Sequence, residues 1–192
     1  MMLINFLIIS LVVVLFMALS RSRSLVKNFG AIFYAIQIAF AVWIAVLHPG
    51  DTDTTFFTFD RLGVLFYCLM VVISTIVFYH IDGYLDKENL REYKYFNISF
   101  ILLCISLAGV YFANNILVTW IFLEATTIAT AGLVYHRRTT RSLEATWKYI
   151  FICSVGIAIA YLGILFMSNI VGSSANLSYN NIALHIADAN PM

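Results

Sequence analysis

The sequence predicts an all-α, polytopic membrane protein of about six transmembrane helices. Three observations predict it: an extreme apolar composition, six long uninterrupted apolar runs, and basic residues that alternate between connections. Hydrophobic residues make up 62% and charged residues 11% of the 192, with a mean hydropathy of +0.91; a soluble domain carries about a quarter charged residues. Such a chain has too little polar surface to cover a globule in water. The 11 Lys+Arg and 10 Asp+Glu nearly cancel, so net charge argues neither for nucleic acid nor for an acidic partner, and the placement of the charges carries the information.

The apolar runs are approximately Leu3–Leu19, Gly30–His48, Leu62–Ile81, Asn97–Ala113, Asn115–Val134 and Trp147–Met167. Crossing a hydrocarbon core about 30 Å thick takes ~20 helical residues, whereas a tilted barrel strand needs only ~9–11. Each run is continuously apolar and of helical length. The first run resembles a signal peptide only in hydrophobicity: nothing basic precedes it, no small-residue cleavage site closes it, and Arg21, Arg23 and Lys27 follow it. It is expected to be a retained span. Residues 168–192 are left as a polar extracytoplasmic tail, so the whole of 1–192 reads as a single membrane domain.

The connections give the topology. Loop one holds Arg21, Arg23 and Lys27, loop three holds Lys87, Arg91 and Lys94, and loop five holds Arg137, Arg138 and Arg141. Loop two carries Asp51, Asp53 and Asp60 against Arg61, and loop four is the uncharged turn Ala113-Asn114-Asn115. The positive-inside rule then predicts both termini outside and the odd loops cytoplasmic. The short loop four predicts that the fourth and fifth helices form an antiparallel hairpin. Ser106, Ala108 and Gly109 on one and Ala125, Ala129 and Gly132 on the other would permit close approach.

Two ionisable residues fall within spans. Glu124 is the tenth residue of its run, roughly 15 Å from either end by helical rise, where a carboxylate cannot reach water. Charge at that depth costs ~2.5–3.5 kcal/mol on insertion scales, so such groups face a bundle interior or wet cavity and commonly move ions. Burial favours the neutral form and a nearby cation the charged one, a balance suited to proton exchange. Trp120, Thr127 and Ala131 share its helical face; the bland alternative is a neutral glutamic acid that fastens helices together. Lys148 lies roughly 9 Å inside the sixth helix, where it could join Glu124 through one or two waters or snorkel to the interface. Glu144, one turn earlier, stands in the favourable order for an ion pair with it.

Other features have bland readings. Cys68, Cys104 and Cys153 are isolated within apolar runs and read as core residues. His48, His80 and His136 sit at span ends and His185 in the tail, unlike facing haem ligands. The acidic and basic mixture of Tyr79–Tyr95 (His80, Asp82, Asp86, Glu88, Glu92) is explained by a solvated loop without a metal, and Asn176-Leu177-Ser178 matches a glycosylation acceptor by spacing alone. No nucleotide loop, ligand-spaced Cys/His cluster or nucleophile–base pairing is seen, so neither a cofactor nor catalysis by the chain itself is expected.

The fifth span, W-I-F-L-E-A-T-T-I-A-T (Trp120–Thr130), the basic loop after it and L-E-A-T-W-K-Y-I-F-I-C-S-V-G-I-A (Leu143–Ala158) resemble the antiporter-like subunits of the complex I family. F-D-R-L-G (Phe59–Gly63) adds to the match, which is strongest toward the hydrogenase-4 type membrane subunit. The resemblance implies the start of an antiporter-like fold in the inner (cytoplasmic) membrane, and a proton-translocating subunit of a hydrogenase-4 or NADH:quinone oxidoreductase type complex. It implies a proton pathway through Glu124 and Lys148, with Thr127 and Glu144 as possible support. The partners it implies are other membrane subunits, a soluble redox module on the cytoplasmic loops, and lipid. It spans essentially the whole chain but only the first part of the family's length, so an N-terminal piece lacking the seventh-helix lysine is expected. The rival readings are a structural membrane anchor for a redox complex and part of a cation/proton antiporter.

Overall fold

The computed structural model describes residues 1–47, 52–85, 88–171 and 177–189. His48, Asp51, Asp86, Lys87 and Asn176 lie outside them. Among the described residues six helices are long and apolar enough to cross a membrane: α1 Met2–Leu19, α2 Arg23–Leu47, α3 Arg61–Tyr84, α4 Leu90–Phe112, α5 Ile116–Val134 and α6 Thr140–Val171. The chain is an all-α multi-pass membrane protein. Each apolar run corresponds to a helix, but α2, α4 and α6 begin about seven residues earlier than the runs do. Hydropathy marks only the part of a helix that lipid must cover; polar turns at its ends continue the backbone ladder without adding to the apolar signal.

The core lies within α1–α4. Phe6 stacks on Phe40 with ring centroids 4.4 Å apart, and Tyr67 packs edge-on to both. Leu3, Met17, Phe33, Ile44, Tyr67, Tyr93, Ile101 and Phe112 are almost wholly buried. Small residues bring α5 against α4, as the short turn requires: Gly109 lies under the ring of Phe122, Gly132 lies against Ser99, and Ala108 and Ala129 are buried. Helix α6 touches the rest along one side only, leaving Phe151, Ile152, Ile159 and Phe166 more than 60% exposed.

Loops one, three and five meet at one end of the bundle. Arg23 donates to the Leu85 carbonyl at 2.8 Å, Lys94 donates to those of Ala18 and Ser20, and Arg137 pairs with Glu88 at 2.9 Å. Asn89 and Glu92 start α4 with a capping box, each side chain satisfying an otherwise orphaned backbone N–H.

The opposite end is more ordered than the polar composition of its loops implies. Thr52–Thr54 (β1) and Phe57–Thr58 (β2) form a small antiparallel hairpin, and a short helix, α7, runs from Tyr179 to Ala189 within the expected tail. Loop four ties them together: the Asn114 N–H donates to Phe56 O at 2.7 Å, and the Ile116 N–H to Leu177 O at 3.1 Å. Asp53 closes the start of α1, accepting from the Met1 ammonium and from the N–H groups of Met2 and Leu3, at 2.7 and 3.0 Å for the last two. Burial alone would raise the Asp53 carboxyl; these donors outweigh it and hold the group below the usual carboxylate range.

Candidate functional site

The α5 sequence divides around its axis into two faces. With 100° per residue, Val118, Phe122, Ala125, Ala129 and Gly132 form the face that meets α4. Trp120, Glu124, Thr127 and Ala131 form another, roughly opposite. This second face meets α6: the Trp120 indole N–H donates to the Ile157 carbonyl at 3.0 Å, and its ring lies 4.7 Å from that of Tyr161. Ile164 packs further along with Leu117 and Trp120. Glu124 therefore stands on the α6-facing side of α5, half-buried, between buried Thr127 and the tryptophan that anchors the seam. Among the described residues it has no hydrogen-bond or ion-pair partner.

The hydroxyl of Thr127 donates to the Leu123 carbonyl at 3.2 Å, and those of Thr126 and Thr130 likewise donate to their own helix, at 2.7 and 2.8 Å. All three donors are occupied by the backbone, but each oxygen keeps a lone pair. Thr127, on the Glu124 face, can therefore accept a hydrogen bond from a protonated carboxyl.

Helix α6 is antiparallel to α5, and the Trp120 contacts set the register: Glu124 is level with the stretch Cys153–Ile157. The α6 face toward α5 carries Thr146, Ile150, Cys153, Ser154, Ile157 and Ile164, all buried or half-buried. Lys148 is not on that face. It lies about 180° around α6 from Ile157, and about 8–13 Å along the axis toward the basic end from the level of Glu124. Its ammonium bonds the Glu144 carboxylate at 2.5 Å, with the two side chains 70% and 66% exposed. The structure thus joins Lys148 to Glu144, the ion pair expected from their spacing, and does not bring Lys148 to Glu124.

Cys153, expected only as a core residue, and Ser154, which was not singled out from the sequence, face the seam at the level of Glu124. The spacing Thr146, Ile150, Cys153, Ile157, Ile164 was there to be read, but the flanking residues of α6 are just as apolar and hide it. Among the described residues no group of three or more His, Cys, Asp or Glu could hold a metal ion.

Residues 113–190, from loop four through α7, match the family described as NADH:quinone oxidoreductase/Mrp antiporter, transmembrane. Over that stretch the chain is similar to antiporter-like membrane proteins. A hydrogenase-4 component F homolog from Methylacidiphilum infernorum (isolate V4) is 31% identical to this chain over 135 residues, 66% of this chain and 28% of the relative. In fold, the chain is similar to one in the membrane-bound sulfane sulfur reductase, an archaeal respiratory membrane complex. The TM-score is 0.77 at 22% identity, over 98% of this chain and 40% of that one. The chain therefore spans well under half the length of either.

Proposed function

We propose that this chain forms part of the proton-translocating membrane portion of a respiratory redox complex of the hydrogenase-4 or NADH:quinone oxidoreductase type. In this reading the basic end faces the cytoplasm, the chain resides in the inner membrane, and further membrane subunits and a soluble redox module complete the assembly. The observation that carries the reading is Glu124: an acid at mid-helix depth, turned to a helix seam and left without a partner. A carboxyl group in that position takes up a proton when charged and passes it on when neutral, provided that water enters the seam. Thr127 and Ser154 line the seam with hydroxyl oxygens able to hold such water.

Lys148 enters the pathway as the next cationic station. Because Glu144 holds it on the far side of α6, the relay leads around or outward from α6, toward a helix outside 1–192, rather than directly across the α5–α6 seam. The half-channel is thus a property of the assembly.

The test is Glu124→Gln in the assembled complex, reconstituted in vesicles, with electron transfer and proton uptake measured together. The expected result is retained assembly and electron transfer with loss of coupled proton movement, whereas a structural anchor predicts unchanged coupling. The same vesicles distinguish a cation/proton antiporter, whose proton movement would require a sodium gradient and no redox substrate.

A further inference from the structure

Among the described residues, loops three and five leave two guanidinium groups side by side with no acidic partner. The Arg138 guanidinium carbon stands 4.2 Å from the Tyr95 ring centroid and that of Arg91 5.9 Å from it, so the two cations lie within about 10 Å of each other. Two carboxylates of the described loop are engaged elsewhere: Glu88 pairs with Arg137 at 2.9 Å, and Glu92 accepts from the Asn89 N–H at 3.3 Å. Among the described residues neither Arg91 nor Arg138 has a carboxylate within ion-pair distance. Both guanidinium groups also donate to the Tyr95 hydroxyl, which orients them, and each keeps further N–H donors in a fork that matches the oxygens of a phosphate.

The site sits where a membrane presents phosphate. Arg91 is the second residue of α4, in the first turn of a candidate span, and Tyr95 follows one turn deeper with 39% of its surface exposed. Tyr84 and Leu90 beside them are 60% and 37% exposed. Exposed tyrosines at a helix end mark headgroup depth, and an apolar neighbour there meets acyl chain rather than water. We propose that Arg91 and Arg138, held on Tyr95, bind the phosphodiester of an anionic phospholipid at the basic end of the bundle.

The experiment is native mass spectrometry of the full chain from mixed micelles that contain phosphatidylglycerol or phosphatidylcholine. The expected result is that phosphatidylglycerol remains bound in preference to phosphatidylcholine, and that Arg91→Gln and Arg138→Gln each weaken it about fivefold, the effect of one cation at an anionic surface. Arg91→Lys/Arg138→Lys, which keeps both charges but loses the forked geometry, should fold as the parent does and bind less phosphatidylglycerol. Arg61→Gln, at the other end, should bind as the parent does. Equal retention of the two lipids, unchanged phosphatidylglycerol binding in Arg91→Gln and Arg138→Gln, or displacement of phosphatidylglycerol by an equal concentration of inorganic phosphate overturns the proposal.

Discussion

Gly109→Ala tests how closely α4 and α5 approach. A Cβ built on Gly109 overlaps Cγ, Cδ1 and Cε1 of Phe122, so the ring must turn or the helices must part. Forcing one such group into a packed interior costs ~1–3 kcal/mol. Replacing a helical glycine by alanine also returns up to ~1 kcal/mol of backbone propensity, which would mask part of that cost. Gly156 supplies the reference, because a Cβ there meets nothing within 4 Å. The propensity gain is common to both substitutions, so Gly109→Ala should be less stable than Gly156→Ala by ~1–3 kcal/mol. In a Phe122→Ala background the overlap is gone, and the two should agree within ~0.5 kcal/mol. Reversible unfolding in mixed micelles, titrated with sodium dodecyl sulfate, reads both differences. A gap below ~0.5 kcal/mol with Phe122 present would refute the close packing of α4 on α5.

Asp53→Ala removes the acceptor that caps α1 and should cost ~0.5–2 kcal/mol at neutral pH. Since the Asp53 carboxyl is held below its unfolded value, its contribution is complete above about pH 4 and is lost as the pH falls through the lower folded value. Thermal unfolding between pH 3 and 7 should show the parent and variant converging at the acid end. On α6, half-buried Cys153 should react with a maleimide about tenfold faster than Cys104, which is 3% exposed, in the folded protein. Equal rates, read by mass spectrometry before and after denaturation, would count against both the α4 core and the half-open seam.

The helices were legible because lipid imposes a long apolar run on each of them, and their pairing of ends followed from nine basic residues in three loops. The small residues of α4 and α5 were legible for a related reason: a turn as short as Ala113-Asn114-Asn115 leaves two helices no other partner. Glu124 stood out by its cost in hydrocarbon. The direction of Lys148 did not, because orientation around α6 depends on which side meets α5, and an all-round apolar helix does not announce it. The only signal was Glu144 one turn earlier, and that pairing is the one found. The β1–β2 hairpin and α7 were hidden because they are short, polar and held by backbone hydrogen bonds to distant segments.

Those distant bonds set an order of assembly. At the basic end, the Arg23 to Leu85 bond can form once the first three helices have been made. At the opposite end, Asn115 and Ile116 must wait for Leu177 and Ser178, which are synthesised only after α6 is complete. The far side of the bundle therefore closes last, and until then the Ile116 amide at the top of α5 waits unpaired at the membrane edge.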